Sequence, residues 1–274
     1  MEPRTYLCLA LCLSGAAPLA GAWRYHRRTS LGHALSWTVA AWLAWVLVLA
    51  GEASGVLEPS GPLRFLALCL VGCAGVAVLG ARRPGAGAWN FVVLGLLAVF
   101  LLSWAEGLLA GGMVRLGGIR LVFLAGTLAV GVLNYLPTRL APAALPLAAA
   151  CGIELWSWVE PGTAWRPRWL VEALIGLVPW IAWAALRLRP EPAAGFDRLW
   201  RDFRDYYGVV WGQRLREQFN NSAHHAGLPV ELTWSGLRAL EAGKTPDESA
   251  YSASLQTLRA LLKRFGLGHE DGAG

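Results

Sequence analysis

Charge is almost absent from the first two-thirds of this chain, and that most narrows what the chain can fold into. Between Thr5 and Leu186 apolar residues run in stretches of about twenty, the length a helix needs to cross roughly 30 Å of hydrocarbon. Five runs are free of charge: Arg4 to Arg24, Arg28 to Glu52, Arg64 to Arg82, Arg83 to Glu106, and Arg120 to Arg139. They predict spans over residues 5–23, 31–51, 63–81, 88–110 and 119–136. Two further spans, 140–159 and 168–186, are long enough only if Glu154 and Glu172 lie inside the membrane. Segments this short can also be re-entrant, but two full crossings are the preferred reading. Pro142, Pro146 and Pro179 do not argue against them, because membrane helices tolerate proline where neighbours satisfy the freed carbonyls. The expected fold is all-α: a polytopic bundle of about seven spans (1–188), then a small helical cytoplasmic tail (189–274).

Composition agrees with this division. Charged residues make up 15% of the 274, against about 25% in an ordinary soluble domain. The net charge of +6 does not point to nucleic acid, since the tail from Arg187 onward has twelve basic residues against eleven acidic ones. The surplus sits in short loops, where it sets orientation instead. Arg24, Arg27 and Arg28, Arg82 and Arg83, Arg139, and Arg187 with Arg189 all fall on one side. Glu52, Glu58 and Glu160 fall on the other, diluted by Arg115, Arg166 and Arg168. The expectation is a cell membrane protein, in a bacterial cytoplasmic membrane, with the N-terminus outside and the tail in the cytoplasm. Ala20-Gly21-Ala22 resembles a signal-peptidase site. Cleavage there would put the basic loop outside, so a retained helix is expected.

The tail has helical periodicity. Phe196, Leu199, Trp200, Phe203, Tyr207, Val210, Trp211, Leu215 and Phe219 recur every three or four residues and predict an amphipathic helix over 196–226, ended by Gly227 and Pro229. A second helix is predicted over 246–265, opening at a Thr245-Pro246-Asp247-Glu248 capping box and stopping at Gly266. Residues 230–240 can be a short helix or an extended piece.

Polar residues inside the spans are the functional lead, because an ionised group in hydrocarbon is costly and marks a site by default. Glu106, Glu154, Glu172 and Arg120 fall at one level near the outer boundary, with Arg115 and Arg64 close in height. They form a candidate polar membrane site; the rival reading is that Glu–Arg pairs simply anchor helices. Cys8 with Cys12, and Cys69 with Cys73, share helix faces at i, i+4 spacing and could face a soft metal, although cysteine packs equally well as a small apolar residue. His26, His33, His224, His225 and His269 avoid the mid-membrane and give no haem pattern. No catalytic set, cofactor motif or metal motif is read. Trp23, Trp37, Trp89, Trp104, Trp156, Trp158, Trp165 and Trp169 mark an interfacial belt. Asn90 and Asn134 suit hydrogen bonds between helices.

Leu9–Leu13 recurs as Leu66–Leu70, which would fit three helical hairpins in parallel register plus a closing helix. For function, the leading expectation is a scaffold, assembly factor or subunit in contact with membrane lipid, whose tail helix 196–226 docks a protein partner. The alternatives are a transporter of a small solute or ion using the outer Glu/Arg layer, and a membrane-embedded enzyme acting on a lipid-linked substrate.

Overall fold

The computed structural model describes residues 3–56, 61–82, 86–109, 117–159, 168–188, 195–241 and 247–267. Glu58, Arg83, Arg115, Glu160, Trp165, Arg166, Arg189, Thr245, Pro246 and His269, which enter the sequence reading, lie outside them. Seven helical stretches are long and apolar enough to cross a membrane, so the chain is a multi-pass membrane protein. The first is two helices, α1 (Pro3–Ser14) and α2 (Ala16–His26); the others are α3 (Gly32–Ala53), α4 (Pro62–Leu79), α5 (Ala86–Leu109), α6 (Gly118–Tyr135), α7 (Ala141–Val159) and α8 (Arg168–Arg187). Both stretches that contain a glutamate are continuous helices, and Pro146 and Pro179 sit inside them without ending them.

The break between α1 and α2 has a local cause. Pro18 has no N–H to give to the preceding turn, and carbonyls freed there need other donors. The Trp42 indole N–H donates to the Cys12 carbonyl at 2.9 Å, and Trp180 donates to the Ser14 hydroxyl at 2.9 Å. The first span is thereby tied to α3 and α8.

Six of the spans close into a ring. α1 packs on α3, α3 on α4, α4 on α6, α6 on α7, α7 on α8, and α8 back on α1. Small residues set the tightest crossing: a Cβ on Gly75 of α4 would lie 2.8 Å from the Cα of Gly131 on α6. α5 stands outside the ring, against α4. The hairpin partners α3, α5 and α7 therefore do not occupy equivalent places, and the arrangement does not support the three-hairpin repeat.

The tail folds onto one end of this ring. α9 (Phe196–His225) bends at Gly208, whose φ of 79° is a conformation glycine tolerates. β1 (Val230–Leu232) pairs antiparallel with β2 (Leu237–Ala239), so the 230–240 segment is a small hairpin. α10 (Glu248–Leu262) continues as a single 3-10 turn to Phe265 and stops at left-handed Gly266. Its N-cap is Asp247, which accepts from the Ala250 N–H at 2.7 Å.

The aromatic stripe of α9 is buried: Phe196, Trp200, Phe203, Tyr207, Trp211, Leu215 and Phe219 share one core with Leu258, Leu262 and Phe265, the hairpin, and Leu31, Val78 and Ala81 of the bundle. Specific bonds fix the docking. Asn134 of α6 brackets the Gly208 bend, donating to the Tyr207 carbonyl at 3.3 Å and accepting from the Val210 N–H at 3.1 Å. Trp211 donates to the Val78 carbonyl at 3.0 Å, and Tyr135 to the Tyr206 carbonyl at 3.1 Å. The Ser30 N–H donates to the Phe265 carbonyl at 3.0 Å, while the Ser30 and Tyr207 hydroxyls lie 3.0 Å apart. Buried Asp205 accepts from Arg204 at 3.0 Å and pairs with Arg139 at 3.6 Å.

Candidate functional site

At the end of the ring opposite the tail, one arginine gathers three carboxylates. Arg64 is the third residue of α4, two positions after the helix-opening Pro62. Its Nε lies 3.0 Å from Glu52 of α3, its Nη1 2.7 Å from Glu154 of α7, and its Nη2 2.8 Å from Glu172 of α8. The four side chains are between 4% and 8% exposed, so neither water nor lipid solvates the charges freely. Glu154 lies five residues before the end of α7 and Glu172 four residues into α8. At 1.5 Å per residue both sit about 6–8 Å inside the helix ends.

Helix periodicity delivers these groups to one place. On α3, Glu52 follows Trp45 by two turns and Val48 by one, and all three face inward. On α4, Arg64 precedes buried Leu68 by one turn. The guanidinium lies under the Trp45 indole, with Cζ 5.6 Å from the ring centroid, a cation–π contact. Trp158, one turn after Glu154, packs edge-on against Phe65 at 5.7 Å. The indole N–H groups of Trp45 and Trp158 are buried and have no acceptor among the described residues. Donors left unused beside a charged cluster are where bound water or a polar solute is to be sought.

The guanidinium uses all three nitrogens, each on a different helix. A single carboxylate can satisfy an arginine through two oxygens, so three converging acids exceed what one inter-helix tie requires. Were all three acids ionised, the single cation would leave two buried negative charges uncompensated.

Of the residues singled out from sequence, Glu154 and Glu172 meet here. Glu106 and Arg120 do not. They pair with each other on the outer face of α5 and α6, Arg120 Nη2 lying 2.9 Å from Glu106 Oε1, with side chains 54% and 45% exposed. Arg64 was assigned only a similar height, and Glu52 a loop. Periodicity gives level and face on each helix, but not which helices are neighbours across the ring. The usable signal was the inward placement of Arg64 on a helix with no polar face.

The other polar residues are structural in this geometry. Asn90 joins helices, 3.0 Å from His33 and accepting from Trp37 at 3.3 Å. The cysteine pairs fall into different clusters, Cys12 among α1, α3 and α8, Cys69 towards α6, and Cys73 towards α5 and the tail. Among the described residues no group of three or more His, Cys, Asp or Glu is placed to hold a metal ion. No family model, curated protein or solved structure matches this chain.

Proposed function

We propose that this multi-pass membrane protein is a proton-linked transporter of a small solute, with Glu52, Arg64, Glu154 and Glu172 as its coupling site. The observation that supports this is the gathering of three buried carboxyl groups on the single cation Arg64. An excess of acids over bases in a buried cluster favours keeping a proton on one of them. Moving that proton changes the attraction between Arg64 and the helices it joins. The ring is closed by charge at this end and by the folded tail at the other, as expected of an occluded state in an alternating-access cycle. The Arg-rich loops lie on the tail side, which supports an outside N-terminus and a cytoplasmic tail in a bacterial cytoplasmic membrane.

The aromatic stripe of the 196–226 helix needs a covering surface, which a protein partner could supply. α10, the hairpin and residues of the bundle cover it, so the stripe does not favour a partner over transport.

Infrared difference spectroscopy of the purified protein tests the proposal. A protonated carboxylic acid band is expected at neutral pH and is expected to weaken in both Glu52→Gln and Glu172→Gln, with abundance and elution unchanged. Proteoliposomes of the wild type are expected to couple solute uptake to an inward proton gradient, and those of the variants to lose the coupling. A wild type without the band, together with collapse of both variants, would make the cluster a helix lock and end the transport reading.

A further inference from the structure

The Glu106–Arg120 pair is the second charged feature of the spans, and it lies on the surface that faces lipid. Leu102, Ile119 and Val122 beside it are each more than half exposed, as side chains bathed in acyl chains are. Glu106 is three residues from the end of α5 and Arg120 two residues into α6. Both therefore reach the headgroup level rather than mid-bilayer.

Anchoring does not account for this placement. α5 and α6 both pack on α4, and their backbones barely meet. They touch through Phe100 against Phe123 at 5.5 Å, and through the ion pair. Beside the pair each helix exposes an apolar side chain, Leu102 on α5 and Val122 on α6. The guanidinium bonds Glu106 through both terminal nitrogens and reaches the Ser103 hydroxyl at 3.4 Å. Five guanidinium N–H donors exceed these contacts, and more than half of the Glu106 side chain is open. The first turn of α6 beside it starts at Gly117, which supplies no side-chain cap.

We propose that this pair is a specific site for a phospholipid with a primary ammonium headgroup, phosphatidylethanolamine being the type. The lipid phosphate accepts from Arg120, its ammonium donates to Glu106, and one acyl chain lies against the exposed Leu102 and Val122. The charge pattern selects among lipids. A phosphatidylglycerol headgroup satisfies Arg120 but offers Glu106 only neutral hydroxyls, with no cation to balance its carboxylate. A choline headgroup carries the positive charge but no N–H to donate.

The test is lipid retention read by native mass spectrometry. Protein reconstituted in vesicles of equal phosphatidylethanolamine, phosphatidylglycerol and phosphatidylcholine is extracted in mild detergent. The wild type is expected to keep one phosphatidylethanolamine in at least tenfold preference to the others. Arg120→Gln is expected to lose retention of all three. Glu106→Gln keeps the phosphate partner, so it is expected to retain lipid while the preference for phosphatidylethanolamine over phosphatidylglycerol disappears. This second variant also keeps the test open if Arg120→Gln fails to fold. Equal retention of the three lipids by the wild type, or an unchanged preference in Glu106→Gln, would overturn the site.

Discussion

At the Arg64 end of the ring, four helices are joined by charge: one guanidinium, three carboxylates and a covering indole. At the tail end they are covered by the folded tail, whose aromatic core extends onto Leu31, Val78 and Ala81 and whose hydrogen bonds to the bundle involve Ser30, Val78, Asn134 and Tyr135. The two closures respond to different stimuli. Attraction within the Arg64 cluster changes when a single proton moves. The tail-side closure is mainly aromatic, with the Arg139–Asp205 pair as a charged contact to the bundle. On the proposed function, the Arg64 cluster is the responsive end.

Three substitutions press on this contrast. Arg64→Ala has the largest expected effect, because it leaves carboxylates buried without their cation, at about 3–5 kcal/mol. A fall in thermal stability and abundance is expected, recovered in part when Glu52 and Glu172 are also changed to Gln. An Arg64→Ala protein as stable as the wild type would mean that charge does not close that end. Gly208→Ala comes next. Its Cβ would lie 2.1 Å from Asn134 Nδ2, at a positive φ, and the strain is about 1–3 kcal/mol. Limited proteolysis is expected to cut the tail faster while the spans melt as before; a joint loss would show that the two ends are not independent. Asp247→Ala is the mildest. Losing the N-cap of α10 costs about 1 kcal/mol and is expected to raise amide exchange in that helix alone.

Much of the bundle was readable in advance because hydrocarbon imposes a simple rule. Each predicted span lies within a few residues of a helix, including the two that required Glu154 and Glu172 inside the membrane. The first span was readable in extent, but not the bonds from Trp42 and Trp180 that tie its break to α3 and α8. The tail helices followed from spacing. The β1–β2 hairpin did not, since it is held by side chains of α9: Asp197 accepts from the Leu237 N–H at 3.0 Å and Asn220 from the Leu232 N–H at 2.7 Å. The site was half legible. Burial of Glu154 and Glu172 followed from span length. Separating them from Glu106 required knowing that α5 stands outside the ring, which no single helix records.

The Ser30–Phe265 bond joins positions 235 residues apart. Ser30 belongs to the loop between α2 and α3, and Phe265 to the turn that follows α10. At roughly 5–20 residues per second, synthesis of the intervening chain takes on the order of ten to fifty seconds. Throughout that time the loop lacks this partner. The tail-side end therefore cannot be completed until Phe265 has been made, and a chain stopped before it would leave the Ser30 loop without the bond that joins it to the tail.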